Sequence, residues 1–260
     1  MLAAASRSDL DIVAMLVLFT DFGLEGPYTG QVKAVLHRAA PGMPIIDLFA
    51  DAPAANPRAA AYLLAAYAAW FPAGTVVLGV VDPGVGGARA PIVVESDRRW
   101  YVGPDNGLFE LVRRRGTGAR SWEITWLPAA LSASFHGRDL FAPVAAQLAL
   151  GQMPPDAPLA TPRPADAGRR FDWPDDLAEI VYIDHYGNAL TGMRAGSIPH
   201  GARLEIGGRT LTRARTFSSV PTGTAFWYEN SNGLAEIAVN AGRADSHLGL
   251  AVGSPVTIRL

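Results

Sequence analysis

The chain has 260 residues, of which 49% are hydrophobic and 18% charged, a composition typical of a folded protein with a sizeable core. Its 22 lysines and arginines are outnumbered by 24 aspartates and glutamates, so no basic excess favours nucleic acid as a partner. Because the chain has no cysteine, disulfide bonds, thiolate metal sites and cysteine nucleophiles are excluded.

The start of the chain gives no sign of a membrane segment. The longest apolar stretch there, residues 12–19, is too short to span a bilayer and lacks the basic flank and cleavage site of a signal peptide. Residues 1–14 show no clear pattern, and we treat them as an N-terminal extension. We therefore predict a cytoplasmic protein that does not contact membranes.

From residue 15 to residue 152, strand and helix patterns alternate. Apolar runs of strand length occur at 15–20, 44–49, 75–81, 92–95 and 100–102, and helical patterns at 28–36, 57–70, 108–114 and 139–150. This alternation predicts βαβ units and a central, mostly parallel sheet covered on both faces. We expect residues 15–152 to form an N-terminal α/β domain.

The composition changes after residue 152. Six prolines lie between residues 153 and 174, which indicates a linker that we assign to 153–175. Short strand patterns follow at 179–183, 203–206, 209–211, 225–228, 236–239 and 256–260, and Gly207-Gly208 is a two-residue hairpin signal. We expect residues 176–260 to form a small, mostly antiparallel β domain.

Polar residues directly after apolar strands are the first candidates for a site, because ligands of open α/β sheets bind outside the carboxyl ends of the strands. Asp21 follows the first strand, Asp82 follows the third, and a polar run occupies 184–188. The Asp21 carboxylate can accept hydrogen bonds from a ribose diol, or it can cap the following turn. The pattern alone leaves both interpretations open.

Two loops carry further candidates. Asp82 opens the run DPGVGGAR, which ends at Arg89 and is also compatible with a plain turn and a surface arginine. His136 stands just before the helix at 139–150, although a lone histidine is more often structural than catalytic. Patterns for dinucleotide, P-loop, zinc-protease and serine-hydrolase sites are missing, so phosphate, metal and serine chemistry are not expected.

Six blocks occur in order between about residues 16 and 244: LFTDFGLEGPYTGQVKAVL, VVDPGVGGAR, VGPDNGLF, SFHGRDLFAP, YIDHYGNALT and ENSNGLAEIAVNAGRA. Together they resemble the S-adenosylmethionine (SAM) hydroxide adenosyltransferases, or SAM hydrolases, which are relatives of the SAM-dependent fluorinase and chlorinase. The resemblance implies an α/β domain followed by a small antiparallel β-barrel domain. It also implies a homotrimer that holds SAM between the N-terminal domain of one subunit and the C-terminal domain of the next.

The activity implied is hydrolysis of SAM to adenosine and methionine by attack of water or hydroxide at the ribose C5′, with no cofactor and no metal. The catalytic set implied is Asp82, Arg89 and His136. The implied substrate contacts are Asp21 for the ribose hydroxyls, Asp184, Tyr186 and Asn188 for the methionine portion and nucleoside, Ser231 and Glu236, and the backbone near Ala238 and Val239 for the adenine.

Two alternatives stay open. One is a halogenase that forms 5′-halo-5′-deoxyadenosine, and the other is a protein that binds SAM or adenosine without turnover. The combination of Asp82, Arg89 and His136 favours the hydrolase, because the halogenases lack it. In a hydrolase, Arg89 is expected to lower the pKa of His136 and so to keep the imidazole neutral.

Overall fold

A computed structural model describes residues 15–152 and 159–260. The predicted extension at 1–14 and the first residues of the predicted linker lie outside the described residues. Within the described ranges, no helix combines the length and the apolar character needed to cross a membrane.

A seven-stranded sheet forms the centre of the first part. Its strands are β1 (Leu16–Thr20), β2 (Ile45–Phe49), β3 (Val76–Val80), β4 (Pro91–Ser96), β5 (Arg99–Pro104), β6 (Arg120–Ile124) and β7 (Ala160–Pro162). They lie in the order β2-β1-β3-β5-β4-β6-β7, and only β4 and β7 run opposite to the rest. The predicted α/β part with a mostly parallel sheet is confirmed.

Helices cover both faces of this sheet. They are α1 (Tyr28–Ala39), α2 (Pro57–Tyr67), α3 (Glu110–Arg115) and α4 (Ala142–Ala149). Side chains alternate along each strand, so Leu16 and Leu18 pack with α1 and α4, whereas Val17 and Phe19 pack with α2 and α3. The same alternation sets the side of the sheet on which a residue just after a strand lies.

Two helices differ from their predicted bounds at one end. The helix predicted at 57–70 begins at Pro57, where the Asn56 side chain accepts a hydrogen bond from the Ala59 N–H, but it ends in a 3₁₀ turn, Ala68–Trp70. The helix predicted at 139–150 instead begins with a π-helical turn, Gly137–Phe141, that leads into α4. Such wide turns are frequent at functional sites.

The second part consists of short antiparallel strands around their own core. These are β8 (Leu177–Ile183), β9 (Ala189–Arg194), β10 (Arg203–Ile206), β11 (Arg209–Leu211), β12 (Ala225–Glu229), β13 (Leu234–Val239) and β14 (Thr257–Arg259), with one helix, α5 (Ala244–Leu248). They form two sheets, β11-β10-β14 and β12-β13-β9-β8, which share one apolar core. The predicted antiparallel C-terminal part is confirmed.

The hairpin predicted at Gly207-Gly208 joins β10 to β11, and both glycines have positive φ, 56° and 70°. Strand β9 was not predicted. Five of its six residues are buried, since it lies between β8 and β13, and a strand covered on both faces has no alternating pattern.

The two parts share a core at α2. Leu63 and Leu64 of this helix belong to the same buried cluster as Leu177 and Val181 of β8. The predicted linker contributes β7, which pairs with β6 at the edge of the large sheet. The boundaries 15–152, 153–175 and 176–260 stay a prediction.

Glu110 fastens the end of the predicted linker to α3. Its side chain is completely buried and accepts hydrogen bonds from Arg169, from Arg114 and from the Arg170 N–H at 2.9–3.2 Å. Burial by itself would raise the pKa of Glu110, but the hydrogen bonds from Arg169 and Arg170 bring it below its ordinary value. Residues 169–170 are therefore held by a buried anion.

We expect Glu110→Gln to lower the free energy of unfolding by about 3 kcal/mol, because the partly buried Arg169 guanidinium loses its anion and Arg114 keeps only Asp175. Urea unfolding measures this. Arg120→Gln is the matched control, since it breaks a pair with Glu95 in which the Arg120 side chain is 63% exposed, and it should cost less than about 1 kcal/mol. Equal losses in both variants would contradict the role given to Glu110.

Candidate active site

The ends of β1 and β3 bring two carboxylates to one edge of the sheet. The strands pair in parallel with Thr20 opposite Val80, and the Asp21 N–H donates to the Val80 carbonyl at 3.3 Å. Asp21 and Asp82 line one small cavity of about 70 Å³ together with His136. Two of the candidate carboxylates that follow strands therefore lie at the same cavity.

Asp82 and Arg89 form a close, nearly buried ion pair. The Arg89 Nε donates to both Asp82 carboxylate oxygens, at 3.2 and 3.0 Å, and its Nη2 donates to Oδ2 at 2.6 Å. The side chains are only 4% and 11% exposed. The guanidinium carbon lies 5.5 Å from the centre of the Phe141 ring in the π-helical turn. The turn signal at DPGVGGAR thus does not end in a surface arginine.

His136 completes this cluster. It precedes the π-helical turn, and its Nδ1 lies 3.0 Å from the Arg89 Nη2. A guanidinium can only donate, so Nδ1 must accept, and the imidazole is neutral with its proton on Nε2. Burial and the positive charge of Arg89 lower the pKa of His136, while Asp82 and Asp139 oppose this shift. The expected direction of the shift is found.

Close contact between two loops brings these groups together. Gly86 has φ of +77°, and a Cβ at this position would lie 2.5 Å from the Ala133 carbonyl oxygen. A larger residue would push the Asp82–Arg89 loop away from the segment that precedes His136. Gly86 is therefore required by the backbone contact that lets Arg89 reach a residue 47 positions away.

The Asp21 carboxylate is held by the backbone at the wall of the small cavity. Its Oδ2 accepts the Ala55 N–H at 2.9 Å. Burial raises the pKa of Asp21, and the nearby Asp82 carboxylate adds to this effect, although the Ala55 N–H opposes it. The residue is part of the cavity wall and is not a helix cap.

A second, larger cavity of about 700 Å³ lies in the antiparallel part. Its lining includes most of the other predicted substrate contacts: Asp184, Tyr186, Asn188, Ser231, Glu236 and Val239. Asp184 accepts hydrogen bonds from the backbone and side-chain nitrogens of Asn188 at 2.8 and 3.1 Å. Tyr186 is 73% exposed and available to a ligand. The Ala238 side chain is fully buried and is not part of the lining.

Glu236 is the buried acid of this cavity. It accepts hydrogen bonds from the Tyr228 hydroxyl at 2.5 Å and from the Asn230 amide at 2.9 Å. Burial raises the pKa of Glu236, although these two hydrogen bonds oppose the effect. Its two partners account for the positions of its oxygens, so the structure gives Glu236 a part in shaping the cavity.

Several lining residues were not predicted, among them Tyr67, Phe217, Tyr228 and Asn230. Tyr67 comes from α2, and burial together with the charges of Glu236 and Asp184 raises its pKa to about 12. In an alanine-rich helix an aromatic residue is typical of core packing, so its pattern carries no signal of a site. Asn230 stands next to Ser231 in the block ENSNG. Its position beside a predicted substrate contact could have indicated that it lines the cavity.

The two cavities have no lining residue in common. Asp21, Asp82 and His136 line the small one, and Arg89 contacts Asp82 and His136 from behind its wall. The predicted contacts within residues 184–188 and 231–239 line the large one. Among the described residues, no group of three or more histidine, aspartate or glutamate side chains is arranged to hold a metal ion. That the reaction needs no cofactor stays a prediction.

A nearly buried carboxylate–guanidinium pair in contact with an imidazole, at the carboxyl edge of a mostly parallel sheet, is typical of an α/β enzyme, here with an added antiparallel β part. Comparison with known proteins narrows this class. Family profiles of the SAM hydroxide adenosyltransferase N-terminal and C-terminal domains match residues 16–157 and 178–257. The chain belongs to the SAM hydroxide adenosyltransferase family.

Individual relatives agree with this assignment. An (R)-S-adenosyl-L-methionine hydrolase from Thermus thermophilus is 42% identical, over 92% of this chain and 97% of its own length. One from Salinispora arenicola is 38% identical, over 92% and 95%. A crystal structure of an uncharacterized conserved protein from Thermotoga maritima has a TM-score of 0.85 at 31% identity, covering 94% of this chain and all of its own.

The state of His136 can be tested directly. We expect its imidazole to titrate below its ordinary value of 6.5, and Arg89→Met to raise this pKa, because the substitution removes a positive charge but leaves Asp82 in place. Nuclear magnetic resonance of histidine-labelled protein measures both values. Arg259→Met, which removes a guanidinium paired with Glu205 in the antiparallel part, is the control and should leave the pKa of His136 unchanged. A His136 pKa that is unchanged in Arg89→Met would contradict the contact.

Proposed function

We propose that this protein hydrolyses SAM to adenosine and methionine, with water or hydroxide as the nucleophile at the ribose C5′. The cluster of Asp82, Arg89 and His136 carries this proposal. Asp82 and His136 line one cavity, where they can offer an acceptor and an N–H donor to a single water molecule, and Arg89 holds both of them. The names of the relatives, all (R)-S-adenosyl-L-methionine hydrolases, support this activity over halogenation. They also lead us to propose a preference for the (R) epimer at sulfur.

The reaction forms the C5′–O bond and breaks the C5′–S bond, and the bonding electrons leave with sulfur as methionine becomes a neutral thioether. No acid is needed for this leaving group, so the protein must orient the nucleophile and accept one proton. A nearly buried site that excludes bulk water favours both tasks.

We assign the proton acceptor to Asp82. In the arrangement described, His136 has no free lone pair, since Nδ1 accepts from Arg89 and Nε2 carries the proton. A carboxylate offers about four lone-pair positions, and Arg89 makes three contacts with that of Asp82. Asp82 can therefore accept from an attacking water, while the Nε2–H of His136 is left to donate to a group in the cavity.

Substrate binding is proposed to need both cavities, contributed by neighbouring copies of the chain. The cavity at the Asp82 cluster, about 70 Å³, is too small for SAM, because ligand pockets usually measure about 300–1,000 Å³. The large cavity has a suitable volume but contains no residue of the cluster. A homotrimer with sites between subunits would combine them, with Asp21 at the ribose and Asp184, Tyr186, Asn188, Ser231 and Glu236 around the remainder. The cytoplasmic location is likewise retained as a proposal.

Hydrolysis at C5′ has an isotopic signature. In water enriched in ¹⁸O, we expect purified protein to convert SAM to adenosine with the label in the 5′-hydroxyl and to methionine without label, as mass spectrometry would show. Separate assays of the two sulfonium epimers should give faster turnover of the (R) form. A 5′-halogenated nucleoside in chloride or fluoride buffer, or tight SAM binding with no product, would overturn the proposal.

Variants of the cluster provide the controls. Asp82→Asn and His136→Ala should each lower kcat by about 100-fold or more, the usual scale for loss of proton transfer and orientation. Activity of the unsubstituted protein should fall as the pH drops below the lowered pKa of His136, because the protonated ring can no longer accept from Arg89. Full activity in both variants would remove the cluster from the mechanism.

The shared site predicts complementation between inactive variants. Asp82→Asn keeps an intact large cavity, and Asp184→Ala keeps an intact cluster, so mixed trimers from co-expression should recover about a quarter of the full activity, because that fraction of interfaces combines two intact halves. Each variant expressed alone is the control. No recovery in mixed trimers, confirmed by pull-down with two different tags, would place the whole site within one chain.

A further inference from the structure

We propose that Arg243 is a positioning residue for substrate binding, which holds the segment 184–188 in the shape that the large cavity requires. This inference rests on the proposed function, because it assigns a role to a residue outside the cavity in the binding of SAM. The guanidinium joins α5 to the segment that carries three of the predicted substrate contacts.

The segment 184–188 is a compact loop with its own hydrogen bonds. The Asp184 N–H donates to the Asn188 carbonyl at 3.0 Å, and the Gly187 N–H donates to the Asp184 carbonyl at 2.9 Å. These contacts and those of the Asp184 side chain keep its two ends together. They do not fix the position of the loop relative to the rest of the cavity, because all of them lie within the loop.

Two contacts from the start of α5 provide that connection. The Arg243 Nη1 donates to the His185 carbonyl at 2.9 Å, and the Asp245 N–H donates to the Gly187 carbonyl at 3.0 Å. Both are made to backbone atoms at the middle of the loop, between Asp184 and Asn188. Tyr186 lies between the two carbonyls, and its own side chain is largely exposed.

Asp245 in turn fixes the guanidinium. Its two carboxylate oxygens accept from the Arg243 Nε and Nη2 at 3.2 and 2.8 Å. All three guanidinium nitrogens of Arg243 are thus engaged within the chain, which is why we assign it a positioning role and not a contact with substrate. A two-pronged arginine–carboxylate pair of this kind has a defined orientation that lysine cannot reproduce.

Gly187 confirms how closely the two segments approach. A Cβ at this position would lie 2.8 Å from both the Cβ and the Nε of Arg243, and φ is +83°. The loop therefore rests directly on the arginine side chain. Ala241 and Gly242, the residues immediately before Arg243, line the large cavity. A shift of Arg243 would therefore move the cavity wall both there and at the loop 184–188.

The test separates positioning from catalysis. We expect Arg243→Met to raise the KM for SAM by about tenfold with kcat within about twofold, because the loop loses its orientation while the Asp82 cluster is untouched. Arg243→Lys, which keeps the charge without the planar fork, should show most of the same rise in KM. It replaces Arg243→Met in the test if that variant fails to fold. Asp245→Asn should raise KM similarly, and the double variant should be no worse than Arg243→Met alone.

The matched control is Arg259→Met. Arg259 donates to Glu205 at 2.6 Å on the same antiparallel part, with 60% of its side chain exposed, and its loss should leave KM unchanged. A second readout needs no turnover: amide hydrogen exchange at 187 and 188 should become faster in Arg243→Met and not in Arg259→Met. It distinguishes failure of this proposal from failure of the proposed function.

Two results would overturn the role of Arg243. One is unchanged KM together with unchanged exchange at 187 and 188. The other is a fall in kcat at constant KM, which would place Arg243 in the chemical step. If the unsubstituted protein gave no adenosine from SAM, the proposed function would fail. Faster amide hydrogen exchange at 187 and 188 in Arg243→Met would still show that Arg243 positions the loop.

Discussion

The candidate chemistry depends on one guanidinium that is shared between a carboxylate and an imidazole. Arg89 contacts both Asp82 oxygens and the His136 Nδ1, so its position sets the orientation of the acid and the tautomer of the histidine together. A nearly buried arginine needs such partners, because an uncompensated charge in that place would be costly. The contacts that compensate the charge of Arg89 therefore also favour the neutral form of the His136 imidazole.

The scaffold explains why these groups can be held so closely. Asp21 and Asp82 extend from adjacent parallel strands, and Val80, two residues before Asp82, packs on the face covered by α1 and α4. His136 stands at the start of the π-helical turn that leads into α4, on that same face. The glycine-rich loop completes the arrangement, since Gly86 permits a backbone approach that a side chain would prevent.

The two cavities contain different kinds of chemical groups. The small one contains the groups suited to direct a nucleophile, and the large one contains aromatic and polar groups suited to a nucleoside and an amino acid. Because the proposed binding of SAM uses both cavities, we propose that several copies of the chain must assemble for catalysis. We assign the Arg243–Asp245 pair to the binding half of this proposed site.

Local patterns in the sequence predicted most strands and helices, because buried parallel strands and amphipathic or alanine-rich helices have distinct periodicities. They failed at β9, which is buried on both faces, and at β7, a three-residue edge strand in a proline-rich segment. Strand β6 and the five-residue helix α5 were also not predicted. The expected substrate contacts omitted Tyr67, since a tyrosine in an apolar helix looks like core until the neighbouring part of the fold places a cavity beside it.

By itself, the sequence determined the α/β and antiparallel parts, the strand-end carboxylates and a family resemblance carried by six ordered blocks. Only the tertiary structure decided that Arg89 bridges Asp82 and His136, that Nδ1 is the accepting nitrogen, and that the predicted contacts fall into two separate cavities. The physical reason is that hydrogen bonds between distant loops depend on how the chain packs. Spacing along the sequence has no information about distances across 47 residues.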